Sequence, residues 1–359
     1  MLTVNKPILG KEEDKVALNV LRSGRLAQGE KVTEFENNFK DYIGCKEAIA
    51  VSNGTSALHT ALLAHDIKRG DEIITTPFTF ISTPNSILHV NAKPVFVDIN
   101  KDDFNINPDL IERAITKKTK AILPVHLFGS PCDMEKINKI AKKNNLIVIE
   151  DCAQAIGTLT NGKKAGSINT GCFSFYPTKN MTTIEGGMIT TNNEVINEKC
   201  RMIRNHGSKE KYKHETLGYN FRLDDVRAAI GIVQLKKLNN FNKKRLENAQ
   251  YLNKNLNIKG IVKPKIKEGH SFNQYTIRIT NEFKKTRDEI IDILKKNNII
   301  TAVYYPTPIH KTEFYQKLGY KSTLKVSEKI SKEVLSLPIH PDVTQKDLNN
   351  IINILEDIK

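Results

Sequence analysis

Three short segments place chemistry-bearing residues directly behind apolar runs. In Phe173-Ser174-Phe175-Tyr176-Pro177-Thr178-Lys179-Asn180 a lysine stands among aromatic and hydroxyl side chains, just before a glycine-rich turn that ends in Glu185-Gly186-Gly187. An amine partly shielded from water at such a place has a lowered pKa, as Schiff-base lysines require, whereas a lysine standing alone reads as one more surface charge. In Glu150-Asp151-Cys152-Ala153-Gln154 the apolar run 146–150 ends in two carboxylates. Asp151, at the mouth of a buried strand, suits a partner such as a protonated ring nitrogen or a metal, and could equally cap the following turn. In Ser52-Asn53-Gly54-Thr55-Ser56, Gly54 lets backbone approach a ligand, and the N–H groups and hydroxyls of Thr55 and Ser56 at a helix start form an anion site. The same residues could serve only as a helix cap, and the Gly-Lys-Ser/Thr ending of a Walker loop is absent.

The elements that must position these residues follow from hydrophobic pattern. Apolar runs at 48–52, 72–75, 94–98, 121–126 and 146–150 alternate with amphipathic segments at 56–65, 82–90, 108–117 and 133–143. Continuous apolar strands separated by helices predict βαβ crossovers and a mostly parallel sheet, an α/β architecture whose ligands collect at the carboxyl ends of the strands. A further strand pair is expected at 172–175 and 187–191, and residues 1–40 as an arm and first helix on the large domain. A long amphipathic helix is expected from 224 to about 256, followed by a smaller α+β domain with strand-like YTIRI and TAVYY and helices at 287–296 and 345–357. The expected division is 1–240 for the large domain and 241–359 for the smaller one.

Length and composition agree with this reading. A chain of 359 residues is long enough for two domains, and 39% hydrophobic with 26% charged residues excludes a disordered or fibrous chain. The 55 Lys+Arg against 40 Asp+Glu give +15 and a pI near 9.4, which fits a nucleic-acid binder or an enzyme for polyanionic small molecules. The basic residues crowd 236–267 and 284–296 together with acidic residues at helical spacing, so they read as solvated faces and no nucleic-acid partner is expected. Five scattered cysteines without a CxxC pair point to reduced thiols. The histidines show neither HExxH nor HxH spacing, so no metal is assigned. No apolar run nears the ~18 residues of a membrane span, the first residues lack a signal-peptide layout, and a cytoplasmic protein without membrane contact is expected.

Taken together, VSNGTSAL at 51–58, EDCAQAIG at 150–157, FSFYPTKN at 173–180 and GYNFRLDDVRAA at 218–229 resemble the DegT/DnrJ/EryC1/StrS sugar aminotransferases. The likeness runs from SGRLAQGEKVTEFENNF at 23–39 to VSEKISKEVLSLPIHPDVT at 326–344. It implies the fold type I architecture of enzymes that use pyridoxal 5'-phosphate (PLP). It places the Schiff base on Lys179, sets Asp151 to hold the pyridine nitrogen protonated, puts Gln154 beside the ring's 3-hydroxyl and stacks Phe80 on the ring. Gly54, Thr55, Ser56 and Ser174 would cradle the phosphate, with Asn220 supplied by the partner subunit of a homodimer. His126 falls at a family position near the cofactor, and a satisfied histidine behind a strand is an equal reading. Arg222 suits a sugar-linked diphosphate because its fork binds phosphate bidentately. The proline-stiffened Tyr304–His310 segment could present Tyr305 and His310 to the sugar. Two positions depart from the family pattern: Tyr176 stands where many relatives have His and Ile184 where Gly is common, so both bear on the sugar pocket.

The implied activity is transamination of a nucleotide-diphosphate-linked keto-sugar, with glutamate as donor and 2-oxoglutarate as its product. The 3-keto branch fits YYPTPIH and the FYP before Lys179 better than the 4-keto branch. A 4-keto-sugar or keto-inositol aminotransferase is the rival within the class. A non-catalytic regulatory or binding protein on the same fold is the rival outside it, and a Schiff-base lysine is of no use to such a protein.

Overall fold

The computed structural model describes residues 1–358. A seven-stranded sheet carries the larger part of the chain. Its strands are β1 (Glu47–Val51), β2 (Glu72–Thr75), β3 (Lys93–Phe96), β4 (Thr119–Ile122) and β5 (Ile147–Asp151), then, after the small hairpin β6 (Leu159–Thr160) and β7 (Lys163–Lys164), β8 (Thr170–Ser174) and β9 (Gly187–Thr191). The spatial order is β1-β9-β8-β5-β4-β2-β3. From β8 to β3 every pairing is parallel, because each strand returns to the sheet by a crossover, helical except between β5 and β8, where the β6–β7 hairpin makes it; β9 follows β8 through a loop alone and runs antiparallel to both its neighbours.

Helices cover both faces. They are α1 (Lys11–Ser23), α2 (Glu30–Ile43), α3 (Gly54–Ala64), α4 (Ser82–His89), the short α5 (Ile111–Ala114), α6 (Met134–Lys143) and α7 (Glu194–Arg204). One core lies beneath α3, α4 and α7 around Ile49, Leu62 and Cys172; another lies beneath α2 around Phe35, Phe39, Phe173 and Phe175. The exposed hairpin β10 (Ser208–Glu210) and β11 (Lys213–His214) precedes α8 (Asp225–Asn255). Asp225, buried at the start of α8, accepts from the backbone N–H groups of Gly29, Lys31 and Val32, so it caps α2 from a distance and pins the two helices together.

Past α8 a second, antiparallel sheet of β12 (Ile261–Val262), β13 (Tyr275–Ile279) and β14 (Val334–Leu337) packs with α9 (Arg287–Lys296) and α12 (Gln345–Asp357) around Tyr275, Ile277, Leu294, Leu335 and Ile351. Between α9 and α12 lie α10 (Glu313–Lys317) and α11 (Lys325–Glu333). The division expected near residue 240 falls inside α8, whose first half packs on α2 and whose last turns join this second core.

Several expectations are corrected. The helix expected at 108–117 is a 3-10 turn, Pro108–Leu110, running into the four-residue α5, after which the chain turns extended again at Ile115. TAVYY forms no strand: Ala302 makes one bridge to Ser336, after which the segment leaves the sheet and brings Tyr305 to Gln154. Of the arm and first helix expected on the large domain, Leu2 instead bridges Ile299 and packs in the second core, while α1 packs on α8. The five cysteines, expected as reduced thiols, are all free.

Ile184 lies in the loop between β8 and β9 with φ 72°, a left-handed conformation that crowds a β-branched side chain. Its side chain is half exposed. Ile184→Gly is therefore expected to raise stability by about 1 kcal/mol or slightly less, relief of strain outweighing glycine's unfolded-state entropy. Urea unfolding should show a higher midpoint at unchanged slope; a lower midpoint would mean that the Ile184 side chain contributes more than its backbone costs.

Candidate active site

The three segments singled out in the sequence meet at the carboxyl ends of β5 and β8. β5 delivers Asp151, β8 ends at Ser174 and leads to Lys179, and β1 leads through Ser52 and Asn53 into α3. Backbone packing forces this meeting: a Cβ on Gly54 would lie 2.8 Å from Ser174 Cβ, and one on Gly187 would lie 2.4 Å from the Asn53 carbonyl oxygen. No other residue type allows the start of α3 to sit so close to the Lys179 segment.

Asn53 caps α3, its side-chain oxygen accepting from Ser56 N–H at 2.8 Å. The Ser56 hydroxyl is turned to the same cap, 3.1 Å from Asn53 Oδ1 and 3.0 Å from Ser52 Oγ. Thr55 Oγ1 donates to Ser82 Oγ at 2.9 Å, and Ser174 Oγ accepts weakly from Tyr176 N–H at 3.4 Å. The first turn of α3 thus presents N–H groups and two hydroxyls at the positive end of an 11-residue helix, which suits a phosphate.

Asp151 is buried. Its Oδ2 accepts from Thr83 Oγ1 at 2.7 Å and its Oδ1 from Ala153 N–H at 3.1 Å. Burial raises its pKa against those two hydrogen bonds and the nearby Lys179 charge. Thr83, on the first turn of α4, was not anticipated; its place just past the carboxyl end of β2 is the sequence signal that could have found it. Lys179 is half-buried and makes no side-chain hydrogen bond or ion pair among the described residues. Burial lowers its amine to about 8, while Asp151 pulls the other way by favouring the ammonium.

Gln154 is held on both sides: Oε1 accepts from Phe128 N–H at 2.7 Å and Nε2 donates to the Tyr305 hydroxyl at 3.0 Å. Tyr305 packs 6.4 Å, centroid to centroid, from the exposed ring of Phe80. Tyr176 is also exposed. Asn220 lies exposed before α8, away from any side-chain partner, and Arg222 donates to Asn205 Oδ1 at 2.7 Å.

His310 and His126 point elsewhere. The His310 ring is wholly buried, with Nε2 3.0 Å from Glu328 Oε1 and Phe96 packed alongside, so its neighbours are α11 and the protein interior instead of a sugar. Its Nδ1 has no partner. His126, also wholly buried, accepts from Cys132 N–H at Nδ1 (3.1 Å), which places the proton on Nε2, 2.9 Å from Glu150 Oε2. Glu150 further accepts from Gly166 N–H and Asn169 Nδ2. His126, Glu150 and Cys152 do gather their donor atoms within 4.8 Å, yet Glu150 and both ring nitrogens are engaged in this closed network. It braces β5 behind Asp151: His126 N–H bonds the Asp151 carbonyl and Asp151 N–H bonds that of Pro124.

The site has the features PLP demands. A buried carboxylate without a cationic partner among the described residues faces an amine of lowered pKa, and a helix N-terminus opens beside both. Asp151 would meet the ring nitrogen, Lys179 the carbonyl carbon and the α3 turn the phosphate. Residues 7–356 match the DegT/DnrJ/EryC1/StrS aminotransferase family. The chain is 45% identical over 346 residues to a "pleiotropic regulatory protein" of Geobacillus stearothermophilus, covering 94% of this chain and 92% of that one. It is 40% identical over 346 residues to dTDP-3-amino-3,6-dideoxy-alpha-D-galactopyranose transaminase of Aneurinibacillus thermoaerophilus, covering 95% and 94%. It superimposes on the Bacillus subtilis NtdA crystal structure, with bound cofactor PMP, the amine form of PLP, at a TM-score of 0.91 and 34% identity, over 98% of this chain and 82% of that one. With a family match over nearly its whole length and a site built for the cofactor, the chain belongs to the DegT/DnrJ/EryC1/StrS aminotransferase family and is a PLP-dependent aminotransferase.

Proposed function

We propose that the protein transfers an amino group from glutamate to a keto-sugar carried on a nucleotide diphosphate, with the 3-keto position preferred. The observation that carries the chemistry is the pairing of Asp151, a buried carboxylate without a cation of its own, with the Lys179 amine. The likeness to a dTDP-3-amino-sugar transaminase supports the sugar, the nucleotide carrier and the ring position. PLP, when bound, supplies an electron sink that lets a proton leave the donor's α-carbon. Lys179 Nζ, in the neutral form that its desolvated position favours, would take that proton from the α-carbon and deliver it on the cofactor side instead of handing it back, so that the amino group changes hands. Asp151, a buried carboxylate, would keep a positive charge on the ring nitrogen. Thr83 and Ala153 N–H hold the Asp151 carboxylate in place, and Gln154, clamped between Phe128 and Tyr305, would stand beside the ring's 3-hydroxyl. The exposed ring of Phe80 would stack on the cofactor ring, Tyr176 and Ile184 offer exposed surface for the sugar, and Arg222 the fork for its diphosphate. His310 is left out of this assignment.

The test is a panel of UDP-, dTDP- and GDP-linked keto-sugars, generated in place and incubated with glutamate and the holoenzyme. Amination of a 3-keto-sugar is expected. Amination only of a 4-keto-sugar or a keto-inositol would move the assignment within the class. The likeness to a protein named a regulator favours one second reading, a binding role. That reading gains if PLP attaches to Lys179 and no member of the panel, nor glutamate alone, converts it to the amine form.

The proposal includes a cytoplasmic homodimer with shared sites, supported by the exposed position of Asn220 on the GYNFR segment. Lys179→Ala and an inactive Asn220→Asp variant, mixed and allowed to exchange subunits, should recover about a quarter of wild-type activity, since half the dimers are mixed and each has one intact site of two. Confirmed exchange without recovered activity would place Asn220 outside its neighbour's site.

A further inference from the structure

Phe128, buried in the turn after β4, has φ 59°, in the left-handed region. A bulky residue keeps that conformation only where its surroundings over-determine it. Turning over the Leu127–Phe128 peptide plane would change this φ by about 180°, into the allowed negative range, and would point the Phe128 N–H the opposite way. That N–H donates to Gln154 Oε1 at 2.7 Å. The strained conformation is thus the one that aims the Phe128 N–H at Gln154.

The turn is held from two sides. On one, the buried Asn105 amide grips both ends: Oδ1 accepts from Leu127 N–H at 3.0 Å, and Nδ2 donates to the Ser130 carbonyl at 3.0 Å. Across the turn, Ser130 N–H donates at 2.9 Å to the Leu127 carbonyl, which belongs to the peptide that would turn over. Asn105 is itself fixed, its N–H donating to Asp103 Oδ1 (3.1 Å) and its carbonyl accepting from Asn100 N–H (2.9 Å). From the side of the second sheet, Ser271 N–H donates to the Gly129 carbonyl at 3.0 Å and Gln274 N–H to that of Phe128 at 3.3 Å. Those two bonds hold the carbonyls beyond the Phe128 N–H. The plane that carries this N–H is left to Asn105 and Ser130.

We propose that Asn105 is a positioning residue for the transamination: by pinning both ends of the 127–130 turn it keeps the Phe128 N–H on Gln154 and so sets which way the Gln154 amide faces. This rests on the reading that Gln154 stands beside the cofactor's 3-hydroxyl. An N–H can be accepted only by the oxygen of an amide, so Oε1 lies toward Phe128, and the NH2 gives one N–H to the Tyr305 hydroxyl at 3.0 Å. The second N–H is left for the ring's 3-oxygen, whose anionic form it would favour. With the peptide turned over, nothing at Phe128 would hold Oε1, and the amide could rotate to present its oxygen to that anion. Asn105, 2% exposed, acts through this relay and not by contact with cofactor or sugar.

The test is a double-mutant cycle on the holoenzyme, read as the pH midpoint of its visible absorption. The midpoint reports loss of the proton shared between the Lys179 nitrogen and the ring's 3-oxygen. A donor to that oxygen favours the deprotonated form and lowers the midpoint. Gln154→Leu should therefore raise it by roughly one unit, the effect of one hydrogen bond to a charged group. Asn105→Ala should raise it by most of that amount, and should add nothing in the Gln154→Leu background. No shift from Asn105→Ala alone, or a shift of the same size in both backgrounds, overturns the positioning role. No shift from Gln154→Leu overturns it together with the placement of Gln154, while the proposed aminotransferase activity still stands or falls by the sugar panel. In the apoenzyme, hydrogen exchange followed by NMR should show the Phe128 N–H losing protection roughly ten-fold in Asn105→Ala while the amides of β4 and β5 keep theirs; unchanged protection at Phe128 also overturns the proposal. If Asn105→Ala does not fold, Asn105→Asp takes its place with the same expectations, since it keeps the shape and the acceptor for Leu127 N–H but loses the donor to Ser130.

Discussion

Lys179→Ala is expected to abolish the borohydride-reducible attachment of PLP and to leave thermal unfolding near that of the wild type. The side chain is half-buried at a ligand-facing turn and holds nothing else in place, so its removal costs little stability. The half-reaction with glutamate should fall by roughly 10²–10⁴-fold, the scale of a lost, positioned proton carrier. Mass spectrometry after borohydride treatment, paired with single-turnover absorbance, reads both effects; a variant that still forms the reducible adduct at the wild-type level would overturn the assignment. The wild type carries a pH signature of the same residue. With the amine near 8, lowered by burial, the rate at which apoenzyme takes up PLP covalently should climb about ten-fold from pH 7 to pH 9 and then level off, as the neutral amine becomes the main form. A lysine of ordinary pKa would keep climbing past pH 9.

Asp151→Asn should keep the bound cofactor and lose the chemistry. The α3 turn that suits the phosphate is separate from Asp151, and asparagine can still accept from Ala153 N–H through its one oxygen while its amide NH2 donates to the Thr83 hydroxyl, which can reverse its role. The amide has no charge to hold the ring nitrogen protonated, and rates of the half-reaction should drop by roughly 10²–10³-fold, as when one preorganised electrostatic group is removed from a catalytic site. Retained PLP, a matched unfolding profile and this loss in single-turnover rate together mark an electrostatic role. Near-normal rates would reduce Asp151 to a cap on the turn after β5.

What the sequence determined by itself lies where chemistry and periodicity are local. The strand at Glu72–Thr75, the strand YTIRI and the helices at Arg287–Lys296 and Gln345–Asp357 occur where the apolar pattern puts them, because their flanking caps and breakers sit beside them in the chain. Lys179, Asp151 and the Gly54–Ser56 turn were legible for a related reason: each is one residue type at the end of one strand. Tertiary structure alone decided which long-range contacts those ends make. TAVYY has the composition of a strand, yet only the docking of the second sheet determines that Ala302 makes a single bridge and that Tyr305 goes on to meet Gln154. His310 reads from sequence as a group for the sugar, and packing against Phe96 and Glu328 turns it inward. Thr83 and Asn105 are ordinary residues in the linear chain. One becomes the clamp on Asp151 and the other the pin on the turn that holds Gln154, because hydrogen-bond partners are set by neighbours in space, 68 positions away from Thr83 in the case of Asp151.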